Sequence, residues 1–197
     1  MDVAIIKYNA GNIYSVEHAL KRLGTVPLLT DDPEVIAKAD KVIFPGQGEA
    51  SSTMSYLKAR NLDQLIKDLK QPLLGICIGM QLMCRYSEEG KTDCLGIFDV
   101  DVKRFQPQKH EEKVPHMGWN STHNVKGKLF TKAQMEEAFF YFIHSYYVPL
   151  CENTAASTNH ILPFSAALQK DNFYATQFHP EKSGEAGERM LTQFLNL

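Results

Sequence analysis

The first half of the chain alternates two kinds of segment, and this alternation limits its possible folds more than any other feature. The segments VAIIKY, VPLLT, KVIFPG and PLLGI are short and almost entirely apolar. Between them, apolar residues recur at the spacing of a helix, as in GNIYSVEHALKRLG. Apolar strands that alternate with helices are typical of a parallel sheet covered on both faces. We therefore predict an α/β fold with a mixed, mostly parallel central sheet and helices on both faces.

The second half has a different pattern. The segments GIFDVDVKRF, AFFYFIHSYYV, TAASTNH, SAALQKD and FYATQFHPE are typical of strands joined by turns, and GEAGERMLTQFL predicts a closing helix. We expect these strands to extend the same sheet as a mixed or antiparallel addition. No repeat or linker divides the 197 residues, so the sequence predicts a single domain over residues 1–197.

Composition argues against several classes of protein. A net charge of -2 argues against a general nucleic-acid binder, and the apolar stretches are too short to span a membrane. The opening residues MDVAIIKYNAGN lack the features of a signal peptide and predict a first strand. The four cysteines form no C-x-x-C pair and have no metal-type spacing. We expect a cytoplasmic protein with reduced thiols and no metal site.

A cysteine lies where the pattern changes from strand to helix. Gly75, Cys77 and Gly79 fit the G-x-nucleophile-x-G turn, in which larger flanking residues would collide. The positive end of the following helix favours a thiolate, and the Ile78 N–H could stabilise an oxyanion. The alternative is a buried structural cysteine. The pentapeptide alone does not decide between them.

A histidine that could act as the base ends an apolar strand far along the chain, in QFHPEKS. His179 and Glu181 lie two residues apart, so in an extended chain both side chains leave the same face. Pro180 between them restricts the backbone. A carboxylate beside an imidazole fixes its tautomer and supports its charged form, which would complete a Cys–His–Glu triad. A surface turn without catalytic partners is the alternative.

Other residues of reactive type receive structural interpretations. In FPGQG, the glycines on either side of Gln47 could adopt positive φ and turn N–H groups inward, although a plain turn is the alternative. We expect Cys84 inside a helix as part of the core. His116 and His144 lie among aromatic residues, where a hydrogen-bonded structural role is expected.

The motifs together resemble a known family. GICIGMQ with a distant FHPE is similar to the class I glutamine amidotransferases, and PHMGWN, FIHSYY and FHPEKS are similar to the glutaminase subunits of imidazole glycerol phosphate synthases. The resemblance extends from AGN to HPEKSG. It implies a three-layer fold, a Cys77–His179–Glu181 triad, glutamine as substrate and no cofactor. It also implies a heterodimer with a (β/α)8-barrel cyclase, which uses the ammonia in histidine biosynthesis.

The resemblance implies further roles, carried over position by position. The oxyanion hole would comprise Gly46, Gln47 and Ile78. Glutamine would be bound by Gly48, Gln81, Glu89, Ser145 and Tyr146. The partner interface would include Asn12, Trp119, Tyr141 and Lys182. A hypothesis adds that the FPGQG loop turns an N–H inward when the cyclase binds its own substrate.

Three alternatives remain open from the sequence. The same glutaminase chemistry could serve another synthase, such as one making pyridoxal phosphate, anthranilate or carbamoyl phosphate. The thiol could instead perform peptidase or redox chemistry. The chain could also be a non-catalytic binding subunit, although the complete Cys77, His179 and Glu181 set argues against that.

Overall fold

The computed structural model describes residues 1–8, 13–130 and 136–197. Strands and α-helices alternate through the first half. In chain order they are β1 (Val3–Ile6), α1 (Ile13–Arg22), β2 (Leu28–Thr30), α2 (Pro33–Lys38), β3 (Lys41–Phe44), α3 (Ala50–Ala59), α4 (Leu62–Asp68), β4 (Leu73–Ile76) and α5 (Ile78–Met83).

Strands predominate in the second half. They are β5 (Cys84–Ser87), β6 (Thr92–Asp93), β7 (Phe98–Arg104), β8 (His116–Ser121), β9 (Phe139–His144), β10 (Tyr146–Tyr147), β11 (Thr154–His160), β12 (Leu162–Lys170) and β13 (Phe173–Thr176). Short 3₁₀ helices cover Glu89–Lys91 and Pro180–Lys182, and α6 (Gly184–Leu195) follows the second of them.

The central sheet has seven strands in the order β11-β12-β13-β4-β3-β1-β2. The strands from β13 to β2 are all parallel to their neighbours, whereas β11 and β12 add to the β13 edge in antiparallel fashion. This confirms the predicted mixed, mostly parallel sheet with an antiparallel extension. The parallel strands bring the ends of β3, β4 and β13 to one edge of the sheet.

Both faces of the sheet are covered, which explains the continuously apolar strands. On β1, Val3 and Ile5 pack in the cluster that contains residues of α1 and α6. Ala4 and Ile6 pack in the opposite cluster, with residues of α2 to α5. All four side chains are completely buried. The predicted arrangement of helices on both faces is therefore confirmed.

Two segments predicted to extend the central sheet lie elsewhere. Strand β7 belongs to a separate four-stranded sheet of order β10-β7-β5-β6, and β9 pairs with β8 in a two-stranded sheet. The helix that was predicted to contain Cys84 ends before it, since Cys84 begins β5. The N–H groups of Leu95 and Ile97 occupy the carbonyls of Leu82 and Met83 at the end of α5. The predicted core position of Cys84 is correct, because its side chain is fully buried.

The antiparallel pair β8–β9, here called the ribbon, has two different faces. Its inner face buries His116, Phe142 and His144 against the core. On its outer face Met117, Trp119 and Phe139 are all more than half exposed. The ribbon therefore presents apolar side chains to solvent directly outside a buried row of aromatic rings.

The helical segment predicted between FPGQG and PLLGI is divided in two. Asn61 adopts a left-handed conformation with φ of 55°, which ends α3 and begins α4 in a new direction. None of the helices within the described ranges is long and apolar enough to cross a membrane.

Candidate active site

Cys77 occupies the sharp turn between β4 and α5. Its φ of 52° and ψ of -104° lie in a region that residues with a side chain rarely adopt. Its N–H donates to the Thr176 carbonyl at 2.7 Å, and its own carbonyl accepts the N–H of Gln81. The strained backbone is thus held by hydrogen bonds to β13 and α5.

Close approach explains the glycines on either side. A Cβ at Gly75 would lie 2.6 Å from the Sδ atom of Met83, and one at Gly79 would collide with the carbonyl oxygen of Phe44. Gly75 and Gly79 both have negative or extended φ rather than positive φ. The room around Cys77 therefore comes from the missing side chains rather than from unusual backbone angles.

The thiol of Cys77 opens into a cavity of about 390 Å³. Eight residues that the resemblance placed at the oxyanion hole or the substrate lie in its wall: Gly46, Gln47, Gly48, Ile78, Gln81, Glu89, Ser145 and Tyr146. The other lining residues are Cys77, Ile143 and His144. Segments from both halves of the chain, which are far apart in sequence, therefore meet around one sulfur atom.

His179 lies behind Cys77, just beyond the end of β13. Its Nδ1 lies 2.8 Å from Oε1 of Glu181, and both side chains are 1% exposed. Its Nε2 is buried, lies near Cys77, and makes no hydrogen bond of normal geometry within the described part of the chain. Because the Glu181 carboxylate accepts at Nδ1, Nε2 is the ring nitrogen available for a proton transfer with the sulfur.

The charges around His179 determine its protonation. Burial alone would lower the pKa of His179, but the adjacent Cys77 and the hydrogen-bonded Glu181 outweigh it and raise the pKa above its usual value. An imidazolium beside the sulfur stabilises the thiolate form of the nucleophile. The charged form of His179 is therefore favoured in this buried position.

Gln177 was missed by the sequence analysis. Its Nε2 lies 3.7 Å from the sulfur of Cys77, and its Oε1 accepts the Nε2–H of Gln81 at 3.1 Å. Gln81 also donates to the Tyr146 carbonyl at 2.9 Å. Gln177 stands two residues before His179, so the period of a strand could have indicated that both face the same site.

Glu89 supplies a carboxylate at the rim of the cavity. Burial raises the pKa of Glu89, and the neighbouring Glu49 raises it further, while the hydrogen bond from the Ala50 N–H opposes both. That bond is 2.9 Å long and comes from the first turn of α3. The carboxylate is therefore fixed in position at the cavity wall.

The FPGQG turn differs from its expected geometry. Neither Gly46 nor Gly48 has the positive φ that the sequence suggested. A Cβ at Gly46 would instead collide with the Ile76 carbonyl and lie 2.8 Å from the Ile78 nitrogen. Glycine is needed there because the FPGQG turn crosses directly over the sharp turn between β4 and α5 that contains Cys77.

Three of the four predicted interface residues, Trp119, Tyr141 and Lys182, lie on or near the ribbon. Trp119 and Tyr141 are directly opposite each other on β8 and β9, with ring centroids 6.1 Å apart. The Tyr141 carbonyl accepts the His179 N–H, and Lys182 lies in the 3₁₀ turn after His179. Asn12 lies outside the described residues.

Comparisons with known proteins show the family of this chain. The family model for glutamine amidotransferase class-I matches residues 4–197. An imidazole glycerol phosphate synthase subunit HisH from Bacteroides thetaiotaomicron is 66% identical, with all of both chains covered. One of the same name from Escherichia coli is 44% identical, again with full coverage.

Solved structures show the same fold at low identity. A glutamine amidotransferase crystal structure matches with a TM-score of 0.74 and 19% identity, covering 98% of this chain and 97% of that one. A glutamine amidotransferase from Thermotoga maritima matches with a TM-score of 0.63 and 17% identity, covering 100% and 83%. The chain therefore belongs to the class-I glutamine amidotransferases and, within them, to the family of imidazole glycerol phosphate synthase HisH subunits.

Proposed function

We propose that the protein hydrolyses glutamine and supplies the ammonia to the cyclase subunit of an imidazole glycerol phosphate synthase. The cyclase, a (β/α)8 barrel, would use the ammonia to convert PRFAR into imidazole glycerol phosphate and AICAR in histidine biosynthesis. The observation that carries the proposal is the position of Cys77, between the cavity and the buried His179–Glu181 pair. The names of the full-length relatives support this synthase over the others considered.

The cavity suits a small zwitterionic amide. Its volume of about 390 Å³ is at the lower end of small-molecule sites, which matches a single amino acid. Glu89 would bind the α-ammonium group, and Gln81 would contact the substrate beside it. The Ser145–Tyr146 backbone and Gly48 would complete the binding site around glutamine and place its amide carbon at Cys77.

The reaction begins with attack of the Cys77 thiolate on the amide carbon. The carbonyl π electrons move to oxygen, and the N–H of Ile78 with the backbone around Gly46 and Gln47 stabilises the oxyanion. His179 donates its proton to the amide nitrogen as the C–N bond breaks, so ammonia leaves and a thioester remains. His179 then takes a proton from water, which attacks the thioester and releases glutamate and Cys77.

The outer face of the ribbon is the proposed docking surface for the cyclase. Its exposed apolar residues are Met117, Trp119 and Phe139, and exposed tryptophan is frequent at the centre of protein interfaces. On β9 the same face continues through Tyr141 to Ile143, which lines the cavity. A partner bound there would adjoin the place where ammonia is released. Lys182 would contribute a contact at the edge of this surface, and Asn12, which lies outside the described residues, is proposed as a partner contact from the family resemblance alone.

Glutamine hydrolysis by the purified chain, mixed with a candidate barrel cyclase, tests the proposal. We expect hydrolysis that requires Cys77, with Cys77→Ser inactive on glutamine. The same variant complex should still make product when ammonia is added directly. Hydrolysis by Cys77→Ser at the wild-type rate would refute the proposed mechanism, and failure to support any cyclase would refute the proposed partner.

Adding the cyclase's nucleotide substrate to the same hydrolysis assay tests the hypothesis about the FPGQG loop. If the FPGQG turn rearranges on loading of the partner, glutamine hydrolysis should rise sharply when that nucleotide is present. Loss of one oxyanion donor typically lowers a rate about 100- to 1000-fold, so activation of that order is expected. Equal rates for the isolated chain and the loaded complex would exclude such a switch.

A further inference from the structure

A continuous chain of hydrogen bonds runs from the cavity into the ribbon. Nδ1 of His144 lies 2.7 Å from the Tyr146 carbonyl oxygen, and Nε2 of His144 lies 3.0 Å from Nδ1 of His116. Nε2 of His116 lies 3.3 Å from Nδ2 of Asn120. None of these four residues takes part in the bond-breaking steps proposed above, yet the chain ends in the cavity wall.

Backbone groups fix the direction of this chain at both ends. A carbonyl oxygen can only accept, so His144 must carry its proton on Nδ1 and accept at Nε2. At the far end, the Ser121 N–H donates to Oδ1 of Asn120 at 2.9 Å, which assigns Nδ2 as the donor toward His116. His116 then accepts at Nε2 and donates from Nδ1. Both ends require the same tautomer at both rings.

Both rings are buried, and His116 is also stacked between two other rings. His116 stacks on His160 at 4.2 Å and on Phe142 at 4.8 Å between centroids. His116 and His144 are 5% and 6% exposed. Burial lowers the pKa of His116 to about 4 and that of His144 to about 3, so both rings are neutral at physiological pH. A neutral ring carries one proton, as the chain requires.

The cavity end of the chain lies at the proposed glutamine site. The Tyr146 carbonyl accepts from His144 and also from Gln81. The preceding carbonyl, of Ser145, accepts the Phe105 N–H at 3.1 Å. With these carbonyls bound on one side, the Ser145–Tyr146 segment is held along the cavity wall.

We propose that His144, held in one tautomer by His116, is a positioning residue that places the Ser145–Tyr146 backbone for glutamine. This inference rests on the proposed function, because it assigns that backbone to the glutamine site. It also links the site to the ribbon, since Asn120 is the neighbour of Trp119 on β8. A shift of β8 would be passed through two neutral rings to the Tyr146 carbonyl.

Steady-state kinetics of the cyclase complex test the positioning role. His144→Phe and His116→Phe remove the donors while keeping an aromatic ring, whereas asparagine at either position keeps a donor near Nδ1. We expect the phenylalanine variants to raise KM for glutamine about 5- to 30-fold, as for a lost buried hydrogen bond, with kcat changed less than about threefold. The asparagine variants should recover most of this loss. His116 does not line the cavity, so its variants exclude a direct steric effect.

Nitrogen NMR of the two rings supplies a test that needs no variant to fold. In the wild-type complex both His116 and His144 should be neutral Nδ1–H tautomers at pH 7. An Nε2–H tautomer at either ring would overturn the inference, as would an unchanged KM in well-folded phenylalanine variants. If the wild-type complex hydrolysed no glutamine, the proposed function would fail. The NMR result would still decide whether the hydrogen-bond chain from Tyr146 to Asn120 exists.

Discussion

His179 and His144 are both almost fully buried near the same cavity, but their pKa values move in opposite directions. The His179 side chain faces Glu181 and Cys77, and its pKa is raised. His144 faces a backbone carbonyl and a neutral ring, and burial lowers its pKa to about 3. Burial penalises the charged form in both cases, so the difference arises from the partner. A carboxylate and a thiol make a buried histidine ionic, whereas neutral partners leave it neutral.

The two histidines consequently suit different tasks. A charged ring beside a thiol can donate a proton to a leaving group and recover it from water. A neutral ring with one fixed donor and one fixed acceptor can only hold its neighbours in place. Substitutions of these histidines and of the residues beside them test whether the partner, rather than burial, determines each task.

Removing the imidazole of His179 should have the largest effect. In His179→Gln no group can protonate the departing ammonia, so kcat for glutamine should fall on the order of 10⁴-fold or more. His18→Gln, at an exposed position of α1, is the matched control and should leave the rate unchanged. A rate within tenfold of wild type in His179→Gln would remove this histidine from the mechanism.

Removing the charge of Glu181 should lower the pKa of His179 and so make this histidine more like the neutral His144. The raised pKa of His179 means that its charged form is lost only as pH rises through that value. Glu181→Gln should lower this pKa, shift the alkaline limb of the rate profile to lower pH, and reduce kcat on the order of 10²- to 10⁴-fold. Glu185→Gln, whose side chain is 86% exposed, should do neither. An unshifted alkaline limb in Glu181→Gln would contradict the assigned electrostatics.

The neutral pair should weaken the fold in acid. Unfolded histidines bind protons below about pH 6.5, but folded His116 and His144 do so only near their lowered values of about 4 and about 3. The unfolding free energy should therefore fall as pH drops between these limits, by up to about 1.4 kcal/mol per pH unit for each ring. Replacing both by phenylalanine should flatten the slope, measured by denaturant titration. An identical slope in wild type and variant would contradict their neutral burial.

A carboxylate placed beside His116 should give the smallest change. Asn120→Asp would put a negative charge where the amide Nδ2 now lies, 3.3 Å from Nε2 of His116. The pKa of His116 should rise from about 4, because the nearby charge favours the imidazolium. An NMR titration of the ring would measure it. A pKa that stayed unchanged would show that burial outweighs the partner here.

Local patterns predicted the elements of the central sheet but not every strand's place. Apolar strands such as VAIIKY require cover on both faces, and that requirement alone leads to the parallel sheet. Nothing local showed that β7 and β9 leave it, because their alternating patterns suit any sheet with one buried face. The early end of α5 depends on donors from Leu95 and Ile97, which lie more than ten residues away. Such contacts are tertiary and leave no periodic signal.

The candidate site could be predicted where residue types imply chemistry. A cysteine between glycines and a His-x-Glu pair are unusual enough to be noticed, and the structure brings them together. The chain of hydrogen bonds through His116 and His144 was not predicted, because the sequence indicated only structural roles for these two residues. Their direction depends on the Tyr146 carbonyl and the Asn120 amide, which no sequence pattern specifies. The predicted positive φ at Gly46 was wrong. Glycine is required there by close packing against the backbone, which also depends on tertiary contacts.

We expect Cys77 to form a thioester with glutamine, assisted by His179 and Glu181. Intact-mass analysis and peptide mapping of the complex, quenched in acid during turnover, would detect this thioester. We predict a glutamyl adduct on Cys77 alone, because all four cysteines are free thiols but Cys84, Cys94 and Cys151 do not line the cavity. The adduct should accumulate further in Glu181→Gln if thioester hydrolysis slows more than its formation. An adduct on another cysteine, or full glutamine turnover by Cys77→Ser, would show that Cys77 is not the nucleophile.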